Sequence, residues 1–270
     1  MRISNEMFQF YLFSGQPIDL REEGLGVVYQ PKLKHFIHKQ MDVSSFSEPF
    51  FPQKEVFTAQ YPEFGKIFKD VGSLEFIFVY DKFLFEANIS QKNNLSSKLV
   101  NSLSILYKTA NVKTIDSIGK IIVDDTIVIG DKELDFLSQL VLEMFRIDAK
   151  EVLKKLLEQC EQNEAEDELT RELNRRAREY EKLKNKKNKS TSIVEVANIV
   201  AHFQGNIAYK DVLNMTIYQI KNSYEAIMKK EIFNINLLHR ISPNFKVSEE
   251  LKLWEEQIRI VESNLSQEED

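Results

Sequence analysis

Thr216, followed three residues later by Gln219 and directly ahead of an apolar run, is the feature that most constrains how this chain folds. At that spacing the threonine oxygen accepts an orphan backbone N–H of a helix's first turn, and the glutamine side chain reaches back to the threonine's own N–H. A helix is therefore predicted to begin at Ile217. Ile217, Ile220, Tyr224 and Ile227 then recur at three- and four-residue steps, while Lys221, Asn222, Glu225, Lys229 and Lys230 fall elsewhere on the wheel. One face of this helix is built to be covered.

Similar boundary signals organise the rest of the C-terminal part. Ser192 and Glu195 form a second capping box ahead of Ile193, Val194, Val196, Ile199 and Val200. Gly205 breaks the chain after them, and Pro243 blocks easy continuation past His239 and Arg240. Trp254 and Ile258 are placed to close a small helical core. These signals predict a helical domain over 191–262 and a polar, acidic tail over 263–270.

Residues 1–150 read as a mixed α and β domain. Candidate strands are Glu75 to Tyr80, Ile121 to Val123 and Thr126 to Ile129, with Asp124 and Asp125 as a tight hairpin turn, although neither is the glycine such turns prefer. Leu95 to Ala110 places Leu95, Leu99, Leu103, Leu106 and Tyr107 on one helical face, and Asp131 can cap a helix carrying Leu134, Leu137, Leu140, Val141 and Phe145. The expected fold class is α+β, with a charged, partly helical linker over 151–190. That linker holds an acidic block from Glu158 to Glu168 and a basic one from Arg171 to Lys189, with almost nothing apolar to bury between Gln159 and Glu168.

At 270 residues the chain is long enough for two domains, and 43% hydrophobic residues with 19 Phe suffice for a core. A net charge of −6 argues against a dedicated nucleic-acid binder. The single cysteine, Cys160, excludes an intramolecular disulfide and points to a reducing compartment. The first fourteen residues lack the layout of a signal peptide, and no apolar run approaches the roughly 20 residues needed to span a bilayer. Residues that carry catalysis elsewhere stand isolated. His35 and His38 share a helix face but have no third ligand, and His202 has no nucleophile tied to it. Glu133 and Asp135 do not face each other on a helix, and Gly24-Leu25-Gly26 lacks the third glycine of a dinucleotide fingerprint. No cofactor, no metal and no enzymatic activity are expected. Phe46, Phe50, Phe51, Phe57 and Phe64, set among Pro49, Pro52 and Pro62, either pack over a sheet or form a loop-borne contact surface.

Met215-Thr216-Ile217-Tyr218-Gln219-Ile220, with His202 and Asn206 upstream and Trp254, Glu255 and Ile258 near the end, resembles the C-terminal part of tail assembly chaperones of long-tailed phages infecting Gram-positive bacteria. A weaker echo runs from Gly26 to Leu33, as a short strand entering a Pro-Leu turn, and another from Ile121 to Phe145. The resemblance covers about the last third of the chain. It implies a non-enzymatic chaperone in the host cytoplasm, absent from the mature virion, that binds the tape measure protein and assists assembly with the tail tube protein. Self-association, with many copies on one partner, is also implied. The partner would be met through helix-in-groove contacts, for which Ile217, Tyr218, Ile220 and Tyr224 are the candidate partner-binding residues. Two other readings stay open: a nucleic-acid-associated regulator using Arg175, Arg176, Lys186 and Lys187 of the basic segment 171–189, and a virion structural tail protein.

Overall fold

The computed structural model describes residues 5–39, 41–61, 64–66, 68–86, 94–115, 119–151, 153–154, 192–203 and 207–241. The fold is α+β, mostly helical, with two small antiparallel sheets and a helical C-terminal part. In chain order come α1 (Asn5–Ser14), β1 (Ile18–Leu20), a 3-10 turn (Arg21–Glu23), β2 (Gly26–Val28) and α2 (Leu33–Lys39). Next are α3 (Val43–Ser47), a 3-10 turn (Glu48–Phe50), α4 (Gln53–Gln60), α5 (Ser73–Glu86) and α6 (Leu95–Leu106). Strands β3 (Val112–Ile115), β4 (Lys120–Val123) and β5 (Ile127–Ile129) precede α7 (Asp131–Met144). The described chain closes with α8 (Ile193–Phe203), α9 (Tyr209–Val212) and α10 (Ile217–Ile241).

Packing divides the chain into two compact units that do not follow the expected boundary at 150. One comprises Met1–Met41, Glu143–Arg146 and Ile193–Asp270, the other Asp42–Leu142 and Ile147–Ser192. The first 41 residues thus belong with the C-terminal helices. The reason is visible in the backbone: Leu33 N–H donates to Met215 O at 3.0 Å, Lys34 N–H donates to Leu213 O at 3.0 Å, and Lys32 forms a bridge with Thr216. Linear distance along the sequence carries no trace of such pairing.

In the second unit, β3, β4 and β5 form an antiparallel meander whose β4–β5 register pairs Val123 with Ile127 and Ile121 with Ile129. The expected hairpin is present. Asp124 and Asp125 both take left-handed backbone, φ 50° and 57°, in a three-residue loop with Thr126, whose N–H returns to Val123 O at 3.2 Å, and Asp tolerates that region better than most residues. Asn111, just before β3, and Lys113 on it hold the Asp125 carboxylate, at 2.9 and 2.6 Å.

The run Glu75 to Tyr80, expected as a strand, lies inside helix α5. Aromatic and β-branched content suggested a strand, but burial follows helical steps: Leu74, Phe76 and Ile77 are buried while Val79 is exposed. A long-range cap helps decide the outcome. Gly72 precedes the helix and has no side chain to cap it, so the Asp131 carboxylate accepts the Leu74 N–H at 2.8 Å. Asp131 therefore caps α5 and not its own helix α7, as the sequence had suggested. At the start of α7, Glu133 reaches back to the Gly130 N–H at 2.9 Å instead.

The face predicted for α6 is buried throughout, from Leu95 to Tyr107, but the helix stops at Leu106 and not at Ala110. Lys108 in left-handed conformation, φ 52°, ends it, with the Thr109 N–H returning to Ser104 O at 3.1 Å. Asn94 caps its start through the Ser97 N–H, and Asp81 receives the Leu95 and Ser96 N–H groups. Phe46 and Phe50 are fully buried, and Ser102 Oγ donates to Phe46 O at 2.9 Å. Phe57 sits at the centre of an aromatic cluster with Tyr61, Phe64, Phe68, Phe76 and Tyr80, at centroid distances of 5.0 to 5.8 Å. Phe46 thus lies beside α6, and Phe57 and Phe64 pack among the aromatic rings of α4, α5 and the segment between them.

Tyr107 places its hydroxyl in the interior without a hydrogen-bond partner among the described residues, and burial pushes its pKa well above the ordinary tyrosine value. A desolvated hydroxyl that makes no hydrogen bond destabilises the folded state. Tyr107→Phe should therefore raise the unfolding free energy by about 1 kcal/mol, read as a higher urea midpoint at unchanged slope.

Candidate functional site

Helix α10 begins as the sequence predicts. Gln219 N–H donates to Thr216 Oγ1 at 3.2 Å, and Thr216 N–H donates to Gln219 Oε1 at 2.8 Å, so both arms of the capping box are closed. Gln219 Nε2 also donates to Phe13 O at 2.8 Å, which ties the helix start to the end of α1. Gly15 sits against this box with φ 69°, where an added Cβ would stand 3.1 Å from Gln219 Nε2. Beside it Ser14, Lys32, Asp211 and Asn214 line a shallow cleft of about 190 Å³, below the few hundred Å³ of a typical small-molecule site.

The expected contact residues are distributed unequally. Ile217, Tyr218 and Ile220 are buried in the first unit, at 1%, 5% and 0% exposure, and Tyr224 is half-buried. The first three therefore anchor the helix and present no surface to a partner, which corrects the reading of them as contacts. The hydrophobic stripe is real, but residues 1–41 and α8 supply enough apolar surface to cover its first turns. Tyr218 donates its hydroxyl to Gln9 Oε1 at 3.3 Å, and the Arg146 guanidinium lies 5.7 Å from its ring centroid.

Arg146 organises the middle of the helix. It takes left-handed backbone, φ 50°, at the end of α7, a position that glycine occupies more cheaply. From there its guanidinium pairs with Glu225 at 2.5 Å and donates to Asn222 Oδ1 at 3.0 Å. Lys229 pairs with the other Glu225 oxygen at 2.5 Å, one helical turn on. Lys221 Nζ donates to Phe145 O at 2.7 Å, and burial together with the Arg146 charge pushes its pKa below the usual lysine value. Burial works against the Glu225 carboxylate, but the Lys229 hydrogen bond and the two positive charges outweigh it and hold its pKa below the ordinary value. A carboxyl depressed on folding contributes stability that is present above its unfolded pKa and lost as pH falls through the folded one. The native chain should therefore lose stability faster than Glu225→Gln between neutral pH and about pH 3, compared by urea midpoints along that range.

Beyond this network the helix emerges from its support. Met228, Ile232, Ile235 and Leu238 are 40%, 50%, 49% and 66% exposed, and residues 234–241 are exposed on every side. Their three- and four-residue steps place these four side chains along one strip about 120° wide. Single exposed apolar residues are ordinary on a surface, whereas a row of them on one helix marks an interaction face. The sequence reading followed the apolar spacing only as far as Ile227 and did not show where burial stops.

Two of the histidines considered for chemistry make local structural contacts. His35 Nδ1 accepts the Lys32 N–H at 3.1 Å at the start of α2. His202 Nδ1 lies 2.8 Å from Asn198 O, and its ring meets Tyr209 edge-on at 6.0 Å. Among the described residues no group of three or more His, Cys, Asp or Glu side chains is arranged to hold a metal ion, and no helix is long and apolar enough to cross a membrane. Cys160, the acidic block and the basic segment 171–189 lie outside the described residues, as do Asn206, Trp254, Ile258 and the tail.

Residues 184–259 match the family model described as the YomV second domain. The matched stretch contains α8, α9 and α10 and continues past the end of α10. Neither the curated proteins nor the solved structures gave a match to the chain.

Proposed function

We propose that this chain is a non-enzymatic tail assembly chaperone of a long-tailed phage, which binds the tape measure protein in the host cytoplasm and assists its assembly with the tail tube protein. The observation that carries the reading is the α10 strip Met228, Ile232, Ile235 and Leu238, an apolar face held out on a helix whose base is fixed by a closed capping box and an ion-pair network. Such a face suits an amphipathic partner helix and needs no cofactor. The resemblance to tail chaperones centres on the same helix, and the family-model match spans it. Weak single contacts suffice if many copies line one long partner, because multivalency then supplies the avidity.

The test is co-expression with the long, helix-rich product encoded next to this chain, followed by capture and a solubility measurement. The native chain should keep that partner in solution at a ratio of many copies to one. Ile235→Asp and Leu238→Asp, at exposed positions, should lose the partner while the helical circular dichroism signal stays unchanged. An insoluble partner, together with elution of the chain on nucleic acid that high salt removes, would overturn the reading in favour of the basic segment.

A further inference from the structure

Helix α1 is apolar on two opposite sides. Phe8 and Leu12 are buried in the first unit, and Phe10 stands about 160° around the helix from each of them. On that outer side lie Phe10 and Phe13, 59% and 68% exposed and the two most exposed phenylalanines among the described residues, together with Met7 at 47%. Gln9, by contrast, is half-buried and accepts the Tyr218 hydroxyl. A surface helix ordinarily turns its apolar side chains inward and its polar ones outward. The end of α1 is pinned as well. Gly15, left-handed at φ 69°, returns its N–H to Tyr11 O at 2.9 Å, Gln30 Nε2 donates to the same oxygen at 2.5 Å, and Gln219 Nε2 holds Phe13 O at 2.8 Å. The rings are therefore presented on a fixed backbone.

We infer that this face is where two copies of the chain meet, α1 packing antiparallel on α1 about a twofold axis at Phe10. The row reads the same in both directions: Met7 and Phe13 stand three residues either side of Phe10. A twofold axis there sets Phe10 against Phe10 of the second copy and brings Met7 of each chain level with Phe13 of the other, the self-complementarity that such a contact requires. Charge selects the antiparallel direction. Glu6, the only charged residue of α1, would lie beside its own copy in a parallel pair. The antiparallel pair separates the two carboxylates by about 12 Å along the axis, more than a Debye length of about 8 Å at physiological salt. Area sets the strength. A buried phenylalanine covers about 150–250 Å², so at these exposures the three side chains offer about 300–350 Å² per copy. Two such patches face to face remove about 600–700 Å², short of the about 1,200 Å² of a stable complex, so the dimer is weak and forms as concentration rises.

The test is sedimentation velocity of the full-length chain across the micromolar range, where the native protein should shift from monomer towards dimer as concentration rises. Phe10→Ser, at an exposed position, should raise the dissociation constant about a hundredfold with unchanged circular dichroism, because it removes one ring of the contact from each copy. Leu238→Ser, on the α10 strip, should associate as the native chain does. In a Cys160→Ser background, Phe10→Cys chains should form an intermolecular disulfide on mild oxidation faster than Glu6→Cys chains. A chain that stays monomeric throughout overturns the inference. Association that survives Phe10→Ser, or that is lost in Leu238→Ser, also overturns it, the latter by moving the contact to α10. Equal oxidation rates overturn the antiparallel direction. For a monomeric chain, loss of a co-expressed partner in Phe10→Ser gives the face to that partner, and binding to phosphatidylcholine vesicles through Phe10 gives it to a lipid surface. The contact rests on α1 and not on the chaperone reading, so its failure leaves that reading to its own test.

Discussion

Ile220→Asp is expected to unfold the first unit. Ile220 has no exposed surface, so the substitution removes a fully buried side chain and leaves a carboxylate inside the unit. The lost burial alone is worth about 2–3 kcal/mol, and an unpaired buried charge or the protonation that avoids it adds several more. A total of about 5 kcal/mol equals the lower end of the stability of an ordinary domain. Circular dichroism and limited proteolysis at 25 °C should show α8 and α10 opened, whereas Leu238→Asp, on the exposed strip, should leave both signals as in the native chain. A native-like Ile220→Asp protein would mean that the interior of this unit is not as described. The contrast also governs how binding data are read, since loss of a partner in Ile220→Asp or Tyr218→Asp reports unfolding and not a missing contact.

Gly72→Ala carries the second large effect, in the other unit. A Cβ at residue 72 would lie 2.2 Å from both Cγ and Oδ1 of Asp131 and 2.4 Å from Oδ2. Asp131 is a short side chain committed to the Leu74 N–H, so it yields only by abandoning the cap of α5. Lost capping of about 1 kcal/mol plus a steric cost of about 1–3 kcal/mol predicts a loss of roughly 2–4 kcal/mol. The diagnostic is a double-mutant cycle. Asp131→Ala alone should cost only the cap, and Gly72→Ala made on top of it should cost far less than in the native chain. Additive losses in urea unfolding would exclude the clash as the cause.

Local chemistry made much of the fold legible. The capping box at Thr216 and Gln219, the hairpin at Asp124 and Asp125, and the apolar faces of α6 and α7 each depend on residues within a few positions of one another, so spacing alone exposes them. The run Glu75 to Tyr80 failed as a strand for the complementary reason. Its propensity is ambiguous, and the group that caps the helix stands 57 residues away at Asp131. The candidate site divides in the same way. Helical spacing named the stripe from Ile217 to Ile227, but it did not show that Ile217, Tyr218 and Ile220 are covered, and it did not reach Ile232, Ile235 and Leu238, which are exposed.

The sequence by itself determined where several helices begin and which face of α6, α7 and the first turns of α10 is apolar, because these follow from side-chain chemistry repeated at the helical period. Only the tertiary structure decided that residues 1–41 join the C-terminal helices, that Asp131 caps α5, and that burial along α10 ends near the Arg146, Glu225 and Lys229 network. Those outcomes depend on groups that meet only after the chain has folded, and free energy gained across such distances leaves no periodic mark in the sequence.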